Sequence, residues 1–383
     1  MIPAESRGAT EQAGPTAPPA DPGGAGPVDI TGLDRAGLEA FFAGLGEKPF
    51  RARQVLQWLH MRGVADFQAM TDLGKGLRAE LAARARVLEP AVLAEQRSAD
   101  GTIKWLLGLE DGNSVEAVFI PEEDDGSAEV QAGQRGTLCI SSQAGCPLDC
   151  RFCATGASGF RRNLTTAEII AQVRHARSVV GDALTNIVFM GMGEPLLNYD
   201  AVVPAINLLL DDFAFGLSRR RVTVSTVGVV PKIEQLGHDT PVNLAISLHA
   251  VRDEVRDRIV PINRSYPLER LLGACRAYPL GKSRRITFEY VMLDGVNDSL
   301  ADADRLVELL RGIPAKVNLI PFNPFPGTEL GRSPEAVIES FRQRILDQGI
   351  VAITRQPRGE DIDAACGQLR GQGREGARQG AAE

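Results

Sequence analysis

Residues 137–156 read TLCISSQAGCPLDCRFCATG. The first six, Thr137 to Ser142, mix β-branched and apolar residues and read as a short buried strand. The strand runs into a loop carrying Cys146, Cys150 and Cys153, spaced C-x3-C-x2-C. Three thiolates on one short loop can wrap a single compact metal centre, and a bulky neighbour such as Phe152 can shield it from water. Structural zinc takes four protein ligands, usually on paired C-x2-C knuckles, and no second knuckle exists in this chain. A three-cysteine set instead suits a [4Fe–4S] cube with one iron left without a protein ligand, free to bind a substrate or cofactor. Zinc and inert loop thiols are the competing readings.

Downstream of this loop the pattern repeats. Strand candidates TNIVFM, RVTVST, VNLAISLH, RITFEYVML, KVNLIPF and VAITR alternate with helical stretches that begin near Thr165, Tyr199, Val229, Arg252, Leu268, Ser299 and Ser333. Thr165 and Glu168 form a Ser/Thr-x-x-Glu capping box, which marks one helix start. Strand–helix alternation repeated about six times predicts an α/β fold with a parallel sheet. About 220 residues are too few for an eight-fold barrel, so a partial (β/α)6 TIM-like barrel is expected. Polar residues gather at the C-terminal strand ends, where α/β folds collect ligands: Gly193 and Glu194 after the second strand, Ser225 at the third, Ser247-Leu248-His249 at the fourth and Asn323 at the sixth. Singly, Gly193 reads as a turn residue and His249 as a core histidine.

Upstream, residues 99–136 read as a β-hairpin turning at Glu110 to Asn113, followed by the acidic loop PEEDDGSAEVQAGQ, which together link two organised parts. Residues 29–98 read as a helical accessory domain whose Arg51, Arg53 and Arg62 form either a solvated face or an RNA contact. Residues 1–28 are rich in Pro, Gly and Ala and are expected to be disordered, and the Gly-rich tail 371–383 to fray. The core proper is expected over 137–370.

The 383 residues carry 42 Lys+Arg against 49 Asp+Glu, a net charge of −7 that excludes a globally basic nucleic-acid binder but not a local basic groove. No apolar run is long enough to span a membrane, and the start lacks a signal-peptide h-region, so a cytoplasmic protein is expected. Six cysteines are too few for a disulfide scaffold in a chain of this length. Cys275, on an apolar helix face, reads as core.

The C-x3-C-x2-C loop, the GMGEP segment and the polar strand ends together resemble the radical S-adenosylmethionine (SAM) superfamily. Two further thiols, Cys139 and Cys366 in RGEDIDAACGQL, narrow the resemblance. With NSVEAVFIP, GFRRNLT, FMGMGEPLLN, RRRVTVSTVGVVP, RDRIVPIN, EYVMLDGVND and NLIPFNPFPG, the chain is similar over roughly residues 30–370 to the RlmN family of dual-specificity rRNA/tRNA adenine-C2 methyltransferases. The acidic loop and both termini depart from the family without touching a motif residue.

The resemblance implies one [4Fe–4S] cluster on Cys146, Cys150 and Cys153. It implies SAM bound by Gly193, Glu194, Ser225, Ser247, Leu248, His249 and Asn323, with two SAM used per turnover. The implied substrates are adenosine 2503 of 23S rRNA and adenosine 37 of tRNAs. Adenine C2 is an electron-poor sp² carbon with little nucleophilicity, which explains the need for a radical cofactor. By the same resemblance, Cys366 takes a methyl from one SAM. A 5′-deoxyadenosyl radical from a second SAM removes hydrogen from that methyl, the methylene radical adds to C2, and Cys139 resolves the covalent adduct as a Cys139–Cys366 disulfide. Glu116 matches the proposed general base, although either it or Cys139 could take the C2 proton. A flavodoxin- or ferredoxin-like electron donor and a thiol reductant are implied partners, and the protein is expected to be a monomer. Arg161, Arg162, Arg219 to Arg221, Lys282, Arg284 and Arg285 are candidate phosphate contacts. Alternatives are an adenine-C8 methyltransferase of the sister resistance family, another radical SAM activity, and a non-catalytic iron–sulfur RNA-binding protein.

Overall fold

The computed structural model describes residues 26–122 and 135–371. Expectations for most of the N-terminal extension, the acidic loop and the tail therefore lie outside the described residues. Val28 does not belong to a disordered extension, because Val28–Asp29 pairs in parallel with Ala85–Arg86.

One sheet of ten strands organises the molecule: β1 (Ala91–Arg97), β2 (Ile103–Gly108), β3 (Ser114–Pro121), β4 (Gly136–Cys139), β5 (Leu184–Phe189), β6 (Val222–Thr226), β7 (Asn243–Ser247), β8 (Ile286–Met292), β9 (Ala315–Pro321) and β10 (Val351–Thr354). Their order in the sheet is their order in the chain. Strands β4 to β10 are parallel, joined by six helical crossovers, as the alternation predicts. Among the described residues β1 and β10 remain free edges, so the barrel is partial.

The expected link over 99–136 is corrected here. Strands β1 to β3 form an antiparallel meander that pairs directly onto β4, with Val118 opposite Cys139 and Pro121 opposite Gly136. The meander therefore extends the core sheet. Strand β1 also takes residues 91–97 out of the helical accessory domain. Its seven residues are all exposed, so its side chains carry no alternating apolar signal to read.

The accessory helices Arg35–Gly44, Phe50–Leu56 and Lys75–Arg84 form as their spacing predicts, the second continuing through a π-helical turn, Gln57–Met61. They pack on the crossover helices Thr166–Val180 and Tyr199–Leu210. Arg35 makes an ion pair with Asp211 at 2.7 Å, and Arg174 donates to the Leu59 carbonyl. Arg53 lies over the Phe213 ring, and Arg51 and Arg62 over their own neighbours Phe50 and Trp58. The Thr165–Glu168 capping box is present and starts helix Thr166–Val180, a feature contributing about 1 kcal/mol. Cys275 is buried in the core.

Register decides what the sheet shows to the barrel interior. Residues paired across strands share a face, as do residues two apart along a strand. Lys104 faces Val118, which faces Cys139, which faces Val188. Glu116, two residues from Val118, joins that face. Through Thr223 and Asn243 the same face continues to Ser247, which pairs with Glu289, and on through Asn318 to Ile353. Arg355, two residues further, completes the row. Lys104, Glu116, Cys139, Ser247, Glu289 and Arg355 therefore share one surface, although they span 252 residues of sequence.

Candidate functional site

A cavity opens at the C-terminal ends of β5 to β9. Cys146, Cys150, Phe152 and Cys153 line it, together with Gly193, Glu194, Ser225, Ser247, His249, Asn323 and Cys366. Of the residues expected around SAM, Leu248 alone does not. Its side chain is buried in the core, its N–H donates to the Glu289 carbonyl and its own carbonyl accepts from Arg256 Nε at 2.9 Å. It therefore shapes the loop from behind.

The GMGEP turn is stapled to the loop after β4. Met192 N donates to Ser141 Oγ, Ser142 N to the Met192 carbonyl at 2.9 Å, and Glu194 N to Gln143 Oε1 at 2.9 Å. Gly193 has φ +98°, a conformation open to glycine. The Glu194 carboxylate accepts from Leu196 N and Val227 N, so it braces the turn against the end of β6. Burial pushes its pKa up to about 7 against the opposing pull of those N–H groups. Ser225 and Ser247 hydroxyls converge on Glu289 Oε2, at 3.1 and 3.5 Å. His249 sits at φ +59° with its Nδ1 accepting from Val291 N at 3.0 Å, which leaves Nε2 as the protonated nitrogen of a neutral ring. Burial, with Arg256 second, lowers its pKa to about 3, and the ring stands edge-on against Phe152 with centroids 4.4 Å apart. Asn323 Nδ2 donates to the Cys366 carbonyl, while its Oδ1 is buried without a partner.

The residues fit an iron–sulfur cluster and an adenosyl ligand. Cys146, Cys150 and Cys153 line one wall, yet among the described residues no three His, Cys, Asp or Glu side chains converge as they would on a single ion. Three thiols from one loop fall short of the four ligands of structural zinc and suit a cube, whose thiolates bind different irons and leave one iron open. The orphaned Asn323 Oδ1 needs a donor, which an exocyclic amine of a ligand would supply.

Cys366 lines the edge of this cavity and of a smaller space beside Arg355. The Arg355 charge acts on Cys366, Cys139 and Glu289. Burial pushes the Cys139 thiol up to about 12, with the nearby Cys366 second, while Arg355 pulls the other way. Burial raises Cys366 as well, and Arg355 again opposes it. The two thiols thus share one neighbouring cation. Glu116 lies in an adjoining cavity with Lys104, Phe325, Gln368 and Arg370. Its Oε1 is 3.4 Å from Lys104 Nζ, and its Oε2 accepts from Arg370 N and Gly371 N at 2.6 and 3.1 Å.

Two family models match the chain: the ribosomal RNA large subunit methyltransferase N-terminal domain over residues 28–87, and the radical SAM superfamily over residues 140–308. The dual-specificity RNA methyltransferase RlmN of Halorhodospira halophila (strain DSM 244 / SL1) is 58% identical over 349 residues, covering 91% of this chain and 94% of that protein. The chain belongs to the RlmN family. A radical SAM methyltransferase from Sphaerobacter thermophilus, solved by crystallography, superposes with a TM-score of 0.81 at 45% identity, covering 90% of this chain and 99% of that one. Membership of the superfamily brings SAM and a [4Fe–4S] cluster as cofactors. Among the described residues no helix is long and apolar enough to cross a membrane.

Several of the basic residues singled out as phosphate contacts lie away from the cavity or are already engaged. Arg219 to Arg221 precede β6, and Lys282, Arg284 and Arg285 precede β8, so they lie at the N-terminal pole of the parallel strands, opposite the cavity. Arg162 is held by Asp111 and by both carboxylate oxygens of Glu168. Sequence reading missed Lys104, Glu289 and Arg355. Each is a charged residue within or ending an apolar strand segment (TIKWLLG, RITFEYVML, VAITR), a pattern that costs desolvation unless a partner waits inside.

Proposed function

We propose that this protein is a radical SAM methyltransferase that methylates C2 of adenosine 2503 in 23S rRNA and of adenosine 37 in tRNAs. The observation that carries the reading is the pair Cys139 and Cys366, two residues 227 positions apart that both feel the Arg355 charge, with Cys366 lining the three-cysteine cavity. A hydrolase or a passive RNA binder has no use for such a pair.

Cys146, Cys150 and Cys153 would hold the cluster, and Gly193, Glu194, Ser225, Ser247, His249 and Asn323 would enclose SAM. When bound, the cluster supplies the electron for reductive cleavage of SAM. Cys366 carries the methyl that becomes the transferred carbon, with Arg355 favouring its thiolate when it attacks SAM. Glu116 takes the C2 proton of the target, and Cys139 closes a disulfide on Cys366 to release the RNA. A cellular thiol reductant and a flavodoxin- or ferredoxin-like donor reset the two redox centres. The target base must leave its stack to reach Cys366, so a splayed or single-stranded adenosine is required.

The test is the Cys139→Ala variant purified anaerobically from cells. Covalently attached RNA on Cys366 is the expected result. Digestion to nucleosides and chromatography against C2- and C8-methyladenosine standards identifies the product of the unmodified enzyme. RNA-free variant protein that still makes 5′-deoxyadenosine would refute the cysteine roles, and a C8 product would refute the regiochemistry.

A further inference from the structure

Lys104 has no part in the reading above, yet it is buried in the wall facing the reaction space, where an ammonium costs free energy unless it is held. Its Nζ has two partners from different elements. One is Glu116 Oε1, diagonally across the β2–β3 pair at 3.4 Å. The other is the Asp363 carbonyl at 3.3 Å, three residues before Cys366. The remaining holds on Glu116 come from the same C-terminal segment, through the N–H groups of Arg370 and Gly371. That segment is anchored on its other side to the cysteine loop, by Ala154 N to the Gly367 carbonyl at 2.7 Å and by Thr155 Oγ1 to the Leu369 carbonyl.

We propose that Lys104 is a positioning residue that sets the geometry between Glu116 and the Cys366 segment, and so the placement of the base relative to the carbon being transferred. The inference rests on the roles assigned to Glu116 and Cys366 above. Of the holds on Glu116, Lys104 is the one rooted in the sheet. A carboxylate that must meet a C–H proton on a base attached to Cys366 needs its reach fixed relative to Cys366, and Lys104 is the side chain that touches both Glu116 and, at the Asp363 carbonyl, the segment bearing Cys366. The step it serves is proton transfer alone: the C2 proton passes to a Glu116 oxygen and the C–H electron pair stays with the adenine ring. Lys104 exchanges nothing with the RNA.

The experiment compares Lys104→Met, Lys104→Arg and Glu116→Gln in the full chain with its cluster reconstituted anaerobically. Four quantities are read for each: methylation of Cys366 by intact mass, 5′-deoxyadenosine formed, covalent protein–RNA adduct, and methylated RNA. Lys104→Met is expected to keep Cys366 methylation and SAM cleavage while product formation falls by about a hundredfold and adduct accumulates. Lys104→Arg, which keeps the charge and the donors, is expected to recover most of the product. Cys366 methylation serves as the folding control, because it needs an intact site. If Lys104→Met forms product at the normal rate, or loses product without accumulating adduct while Glu116→Gln accumulates it, the positioning role is wrong. If Glu116→Gln itself turns over normally, the base assignment falls and the Lys104 proposal falls with it.

Discussion

Replacing Gly193 with alanine tests whether the GMGEP turn is held as tightly as the structure requires. A Cβ at this position would lie 2.5 Å from Gln143 Cβ, 2.8 Å from its Cγ and 2.9 Å from its N. None of these is the free end of a flexible side chain. Gln143 is fixed at both ends, by Nε2 donating to Asn163 Oδ1 at 2.8 Å, Oε1 accepting from Glu194 N and its own N–H donating to the Met192 carbonyl. Relief therefore requires displacing the turn itself. A non-glycine residue at φ +98° adds about 1–3 kcal/mol of backbone strain, and the overpacking about 1–3 kcal/mol more. The expected destabilisation is about 2–6 kcal/mol by denaturant titration. Gly312→Ala is the control, because Gly312 has φ +79° with nothing within 4 Å of its would-be Cβ and so reports backbone strain alone. Because Gly193 lines the cavity and Glu194 braces it against β6, SAM affinity by equilibrium dialysis should fall at least about tenfold, the equivalent of 1.4 kcal/mol. Gly193→Ala that matches Gly312→Ala in stability and binds SAM normally would refute the reasoning.

Acid should destabilise the fold through its buried histidines. Burial, with Arg174 and Arg177 next, lowers the His60 pKa to about 3, whereas an unfolded histidine titrates near 6.5. Below about pH 6.5 the unfolded chain gains a proton that the folded chain refuses until about pH 3, so stability falls with pH across that window, by about 2 kcal/mol from His60 at pH 5. Denaturant titrations of His60→Leu between pH 7 and 5 should show a shallower loss than the parent protein, and an unchanged slope would count against it. At the N-terminal pole, replacing Arg219, Arg220 and Arg221 together with serine should leave the salt dependence of RNA binding unaltered. Each lost phosphate contact would reduce that slope by about one, so a flattened slope would place RNA at the wrong end of the barrel.

Local chemistry was readable in the chain because it is carried by neighbours in sequence. Three cysteines within eight residues, a capping box at Thr165 and Glu168, and β-branched runs alternating with helical periods each declare themselves without a fold. All seven parallel strands and six crossovers follow from that alternation. The meander was less legible. Residues 102–120 showed two strands, but their attachment to β4 depends on which edges meet, and strand β1, exposed along its length, lacks the alternation that would mark it. The position of the basic residues was illegible for a related reason. A run such as Arg219 to Arg221 states its charge, but not that it precedes a parallel strand whose other end carries the site.

The sequence by itself determined the α/β class, the three-cysteine loop and the polar strand ends, because these are short motifs whose chemistry lies in residue type and spacing, while the two accessory thiols stood out through the resemblance to a family. Only the tertiary structure decided that Leu248 supports the site from behind, that Arg355 serves both thiols, and that Lys104 joins Glu116 to the segment bearing Cys366. Those facts depend on strand register, where a slip of one residue would turn Lys104, Glu116 and Cys139 to the opposite face. Register is set by the packing of the whole sheet, which no local stretch of this chain encodes alone.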